Sequence, residues 1–336
     1  MNIFSTKNEK YYLKINKLLL FFNILFSILY ISKLYNNQSN NSLIYKTKND
    51  LNFEYHKYQT DYITEKIKRY SVFQLKKNES YFINGIIRKL RPKKCLEIGV
   101  AHGGSSILIL NAIKDINKSL LVSLDLYKKY YGSGSEDTGY RVKKFFPELS
   151  KNWQLYTGEQ PHIFLEKLNI KFDFLFLDTA HIAPGELINI IEVLPFLNDN
   201  AIVVLHDIMF HLPTNKYYNK KEIKFHPSQI YLMSSLAGDK IIIRDQDKGA
   251  ENIGAIFLYP NQDKYYLNYF LLLLSPWEYI PNEKQYEELK IFIKKYYKNE
   301  IYLHLFDKAY KENKIYVKKF KNLYKKLFIG NNSLIK

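Results

Sequence analysis

One cysteine, Cys95, stands in a chain of 336 residues, which excludes an internal disulfide and points to a reducing compartment. Inside an apolar stretch such a thiol reads as a small core residue, not a nucleophile. Arginine is scarce as well: positions 69, 88, 91, 141 and 244 hold all of it, although lysine and arginine together number 50 against 33 acids. A dedicated phosphate-reading surface clusters arginine. Here the lysines are scattered along the whole length, so the formal charge of +17 reads as general composition and a nucleic-acid partner is disfavoured. Long apolar runs are also missing. The longest, Leu18–Ser32, has 15 residues broken by Asn23 and Ser27, short of the ~20 that a spanning helix requires. The segment YNNQSNNS after it offers no small-residue cleavage site, so a signal peptide is disfavoured too. With Lys7, Lys10, Lys14 and Lys17 ahead of it, this stretch reads either as an interfacial helix or as an ordinary buried one. The first option places residues 10–34 at a membrane surface and the protein in the cytoplasm, attached to the inner face. No internal repeat appears.

What is present is a globular chain, 46% hydrophobic, with enough length to bury a large core. Residues 1–50 read as a basic, hydrophobic helix and an Asn/Ser-rich linker (36–52), and residues 51–91 as a helical extension with helices near 58–76 and 80–90, stopped by Pro92. Between 92 and 260 strands and helices alternate: strands at 94–99, 120–125, 153–158, 172–178, 201–207, 240–245 and 253–259, helices near 104–115, 138–146, 160–168, 185–197 and 227–237. Only QDKGAEN separates the last two strands, too little for a helical crossover, so they should pair antiparallel. Residues 261–336 read as a helical, basic C-terminal extension in which the run FLLLL at 270–274 packs into a core.

The informative stretch is KCLEIGVAHGGSS, residues 94–106. Strand-to-glycine-to-helix turns let backbone approach a ligand closely at a helix N-terminus. A phosphate loop would continue into Gly-Lys-Ser/Thr, whereas Gly104 is followed by Ser105-Ser106; a dinucleotide fingerprint would need glycine at 101, where alanine stands. Glu97, an acid in an otherwise apolar strand, discriminates further. It is costly to bury without a partner, and it can accept hydrogen bonds from the ammonium end of a bound amino acid.

Glu97-x-Gly99-x-x-x-Gly103-x-Ser105 resembles the first motif of class I S-adenosylmethionine-dependent methyltransferases, and the likeness runs over roughly 92–260. It implies a doubly wound α/β fold with a seven-stranded, mostly parallel, Rossmann-like sheet carrying helical N- and C-terminal extensions. It also implies a cofactor site made by Glu97, Gly99, Gly103 and Ser105, by Asp125 on the two ribose hydroxyls, by Gly158 and Glu159 at the adenine, and by Asp178. FDFLFLD followed by Thr179-Ala180-His181 is similar to the D-x-x-H signature of an O-methyltransferase-like branch, and AIVVLHD to its fifth strand.

Both acids that end strands four and five, Asp178 and Asp207, belong on one rim of such a sheet. In catechol-type relatives the corresponding acids and an adjacent asparagine bind magnesium. Here Ile208 follows Asp207, so a metal on Asp178 and Asp207 stands beside a metal-free alternative in which His181 takes the proton of the acceptor hydroxyl. His206 lies within its strand and reads as a core or orienting residue; His102, His211 and His226 read first as surface-loop residues and second as substrate contacts. The loop Tyr130–Asp137 reads either as a lid or as an ordinary polar loop. The resemblance thus implies O-methylation of a small hydroxylated acceptor such as a sugar or glycan precursor. The alternatives are an inactive, methyltransferase-fold binding protein at a membrane surface, a nucleic-acid methyltransferase, which Thr179-Ala180 after Asp178 disfavours, and a hydroxylase, for which no two-histidine, one-carboxylate spacing is apparent.

Overall fold

The computed structural model describes residues 56–69, 75–209, 228–245 and 249–328. The hydrophobic stretch 18–32 and the linker therefore lie outside the described residues, as do His211 and His226. Among the described residues no helix is long and apolar enough to cross a membrane.

Two helices, α1 (Lys57–Lys68) and α2 (Lys77–Leu90), lead into the sheet. α2 starts three residues before the expected position because Glu79 sits at its third position and accepts the backbone N–H of Lys76 at 2.7 Å, closing the first turn. Its buried face is Phe82, Ile83, Ile86 and Ile87, the i, i+1, i+4, i+5 spacing of one helical stripe. Strands β1 (Lys94–Ile98), β2 (Leu120–Asp125), β3 (Trp153–Thr157), β4 (Phe172–Leu177), β5 (Leu197–His206), β6 (Gly238–Asp245) and β7 (Gly249–Leu258) form one sheet in the order β3-β2-β1-β4-β5-β7-β6. β1 to β5 run parallel, β7 runs antiparallel to β5, and β6 pairs antiparallel with β7 as the short connection requires.

Strand β4 shows why the sheet is buried on both faces. Its sequence FDFLFL alternates between two apolar layers: Leu175 and Leu177 enter one core with Leu96, Ile98, Val203 and Leu205, while Phe174 and Phe176 enter the other with Cys95, Leu121 and Val204. Cys95 is buried as a core residue, and burial pushes its thiol far up. Helices α3 (Gly104–Ile113), α4 (Tyr140–Phe145), α5 (Pro161–Leu168), α6 (Gly185–Val193) and α7 (Gln229–Ser235) connect the strands. α6 stops earlier than expected, because Pro195 falls in a single tight turn (Leu194–Phe196) that leads into β5.

Helices α8 (Tyr266–Leu272), α9 (Glu283–Tyr296) and α10 (Glu300–Phe328) extend the first core. Phe270, Leu273 and Trp277 are buried there, so the leucine run packs as core, although Leu271 faces outward. Two hydrogen bonds tie this cap to α6 and the loop before it: Tyr297 Oη donates to the Ile191 carbonyl at 2.6 Å, and the Glu278 N–H donates to the Ala183 carbonyl at 2.8 Å.

Candidate active site

The ends of the parallel strands meet at one edge, and the glycine turn opens it. Gly99, Ala101 and Gly103 all have left-handed backbone, with φ of 91°, 49° and 95°. Ala101 adopts this conformation at the position where a dinucleotide turn would use glycine, because the turn is tied from outside. The N–H groups of Val100 and Ala101 donate to Asp125 Oδ2 at 2.9 and 3.1 Å, and the Tyr127 N–H donates to Oδ1 at 2.9 Å. Asp125, expected to end β2 and face a ligand, thus also anchors the turn beside it.

Glu97 is sealed. Its carboxylate accepts the hydroxyls of Ser105, Ser106 and Ser123, each at 2.6 Å. Ser123 reaches it because β1 and β2 pair in register Glu97↔Ser123. Burial pushes Glu97 up to about 7 against the pull of the hydroxyl donors, with the charge of Asp178 adding to the rise. The expectation of an open acceptor is therefore modified: of the three serines only Ser105 is partly exposed, so a ligand amine meets Glu97 through that hydroxyl or by displacing it.

His102 is buried instead of lying on a surface loop. Its Nδ1 accepts the Gly104 N–H at 3.1 Å at the start of α3, and burial, with Arg141 nearby, lowers it to about 4. The ring stands edge-on to Tyr130 at 5.5 Å. The Tyr130–Asp137 loop is closed on itself by the Tyr130 N–H to the Glu136 carbonyl and by a Lys129–Asp137 ion pair of 2.8 Å. Past β3, the Gly158 N–H donates to the Asp125 carbonyl at 3.0 Å, and Glu159 turns toward α9, 3.4 Å from Lys284 Nζ.

The other half of the rim gathers Asp178, His181, His206 and Asp207. His181 and Asp207, in the loops that follow β4 and β5, have left-handed backbone, φ 62° and 57°. His206 donates from Nδ1 to Asp178 Oδ1 at 3.2 Å and from Nε2 to Glu79 Oε2 at 3.3 Å. Burial works against its charge, but Asp178, Glu79 and Asp207 outweigh it and hold the imidazolium well above the usual 6.5. Burial alone would likewise raise Glu79 and Asp178, yet His206 brings both below their ordinary values. The orienting role read for His206 thus has a concrete form, and Glu79, on a helix of the N-terminal extension, had no signal in the sequence.

His181 Nε2 lies 3.1 Å from Asp207 Oδ2, and the other oxygen of Asp207 accepts the Asn252 side-chain amide from β7. The loop N–H of His181 donates to Glu186 Oε1 at 2.6 Å. Asp178, His181 and Asp207 bring one ligand atom each to within 4.8 Å of one another, a set able to hold a divalent cation. Ile208 is buried and contributes nothing to it. The two histidines do converge with two carboxylates, contrary to the spacing argument, but both ring nitrogens of His206 are committed to acids.

Residues 96–208 match the family model described as a methyltransferase domain. No curated protein matches the chain in sequence. Among solved structures, the O-methyltransferase TomG of Streptomyces achromogenes, in complex with SAM, is 15% identical over 60% of this chain and 89% of its own, with a TM-score of 0.42. An O-methyltransferase from Bacillus cereus in complex with SAH is 12% identical over 70% of this chain and 99% of its own, TM-score 0.41. An SAH-bound methyltransferase of Podospora anserina is 16% identical over 68% and 93%, TM-score 0.41.

Proposed function

We propose that this chain, whose residues 96–208 match a methyltransferase domain, moves a methyl group from S-adenosylmethionine to a hydroxyl oxygen of a small acceptor, such as a sugar or glycan precursor. One observation carries the reading: the matched segment supplies the glycine turn, Asp125, Asp178, His181 and Asp207, and its fold delivers all of them to one edge of a parallel sheet.

S-adenosylmethionine, when bound, supplies a sulfonium methyl for in-line attack by the acceptor oxygen. Glu97 would face the ammonium end through Ser105, Gly99 and Gly103 would shape the turn, Asp125 would take the ribose hydroxyls, and Gly158 and Glu159 would flank the adenine. Asp178, His181 and Asp207 would receive the acceptor and hold its oxygen in line, and a group of this rim would take its proton; such alignment accounts for much of the rate in reactions of this kind. Of this donor set the two carboxylates, Asp178 and Asp207, fit a magnesium ion completed by water, which would orient the hydroxyl and lower its pKa; the His181 imidazole is not a magnesium ligand.

Calorimetric titration of the full chain with S-adenosylhomocysteine, repeated with NAD, tests the reading. Micromolar binding of the first alone is the expected result; no heat from a folded sample would leave the glycine turn as scaffold and shift the weight to a binding role. Asp125→Ala should weaken that binding by roughly tenfold or more, since hydrogen bonds to a charged group are each worth about 1.5–3 kcal/mol. Unchanged affinity would restrict Asp125 to its observed task of tying the turn.

A further inference from the structure

We propose that Gln229 is a positioning residue that holds His181 as the Nε2–H tautomer, making the ring a donor to Asp207 and leaving the rim carboxylates to accept the proton of the substrate hydroxyl. Gln229 is buried at the start of α7, and its side-chain Nε2 lies 2.9 Å from His181 Nδ1 and 2.8 Å from Glu186 Oε1. Which way this amide points is decided by Glu186. Glu186 is buried, with Oε1 already accepting the His181 N–H at 2.6 Å and Oε2 accepting the Ser228 hydroxyl at 2.7 Å. Turning the amide over would press its carbonyl oxygen against that carboxylate oxygen. The NH2 group therefore faces both neighbours, one hydrogen for Glu186 and one for His181.

An N–H directed at Nδ1 requires a lone pair there, which places the ring proton on Nε2. Nε2 is the nitrogen 3.1 Å from Asp207 Oδ2, so the chain Ser228–Glu186–Gln229–His181–Asp207 runs with every donor matched to an acceptor. The contrast with His206 is instructive. Each nitrogen of that ring has a carboxylate as its nearest partner, whereas the nearest partner of His181 Nδ1 is the Gln229 amide at 2.9 Å, with Asp178 Oδ1 and Glu186 Oε1 farther off at 3.8 Å, and that of Nε2 is Asp207. A proton on Nδ1 would meet the amide N–H head-on.

In turnover, the acceptor oxygen forms its bond to the methyl carbon as the carbon–sulfur bond breaks. Sulfur keeps the electron pair, and the hydroxyl proton passes to a rim carboxylate, Asp207 being the one steadied by the His181 N–H. This consequence rests on the proposed methyl transfer; the tautomer does not.

Long-range proton–nitrogen NMR of the full chain labelled in histidine nitrogen, with His181 assigned by its loss in His181→Gln, reads the tautomer directly. The expected wild-type signature is an unprotonated Nδ1 and a protonated Nε2. Gln229→Met should blur it into exchange between tautomers, and Gln229→Glu should move the proton to Nδ1. With S-adenosylhomocysteine affinity unchanged, Gln229→Met should also lower kcat by roughly 10- to 100-fold, the scale on which a misplaced group slows an aligned reaction. A wild-type protein with protonated Nδ1, or a Gln229→Met spectrum identical to wild type, overturns the assignment. The wild-type spectrum decides even where a variant does not fold, and the S-adenosylhomocysteine titration separately reports on the methyl-transfer reading.

Discussion

Gly99→Ala should unfold the protein or remove most of its stability, the largest effect expected of any single methyl group added to it. A Cβ built on Gly99 falls 1.8 Å from the carbonyl oxygen of Asp178, a backbone atom. Neither side can yield: the Gly99 N–H is bonded to the Leu124 carbonyl at 2.9 Å, and the Asp178 N–H to the Ile98 carbonyl at 3.0 Å. To the steric conflict is added the left-handed backbone, φ 91°, which costs an alanine about 1–2 kcal/mol. Overpacking of a rigid site costs about 1–3 kcal/mol and more where nothing can relax. Together these come to about 2–5 kcal/mol, and more for a clash between backbone atoms, which reaches the lower end of the stability of a typical domain, about 5–15 kcal/mol. Gly134→Ala is the matched control, since Gly134 also has left-handed backbone, φ 67°, but no atom within 4 Å of the added Cβ. Urea unfolding of both should show a loss of about 1–2 kcal/mol for Gly134→Ala and insolubility or a far larger loss for Gly99→Ala. Equal midpoints for the two would mean that β1 and β4 do not cross as closely as the structure has them.

That result bears on what the glycine turn is for. Its sequence invites a reading in terms of a ligand, yet the first glycine is demanded by a neighbouring strand, and only Gly103 and Ala101 lie where the chain turns into α3. Local sequence makes the turn legible, because an apolar strand ending in glycine before an apolar helix has few other readings. It also makes the sheet legible, since FLFL of β4 and AIVVL of β5 are apolar runs and the connection before β7 is too short for a crossover. What it could not show is pairing over distance. Glu79 and His206 are 127 positions apart, and Gln229 and His181 are 48 apart. Nothing in the polar-apolar patterns of KNESYFING or SQIYLMSS marks a glutamate or glutamine as a partner for a histidine elsewhere. The enclosure of Glu97 is an intermediate case: Ser105 and Ser106 are adjacent in the motif, while Ser123 is brought in by strand register. The acid was conspicuous in the sequence because burial of an unpartnered charge is costly, and the partners that answer that cost are hydroxyls of the fold itself.

His206→Gln should cost about 3–5 kcal/mol at neutral pH, the scale of removing one partner from a buried charged network. In the native protein one imidazolium lies between Asp178 and Glu79, and Asp207 adds to its stabilisation. The sign of the pH dependence follows from the shifts. His206 is raised above 6.5, so its contribution is complete below that value and is lost as pH climbs through the higher folded-state value. Asp178 and Glu79 are lowered from 3.8 and 4.5, so their contributions are complete above those values and are lost as pH falls through the lower folded-state ones. The wild type should therefore be most stable between the two limbs. In His206→Gln the cation is gone, and the buried Glu79 and half-buried Asp178 carboxylates face one neutral amide. Desolvation then raises them, the folded state binds more protons than the unfolded one, and stability should climb as the solution is acidified. Urea unfolding across a pH series should consequently show the largest gap between the proteins near neutrality and a narrowing gap toward acid. A constant gap at every pH would mean that His206 contributes packing alone. The same charge also shapes the rim: the His206 ring lies 3.2 Å from Asp178, which it draws below its ordinary value, and 3.6 Å from Asp207.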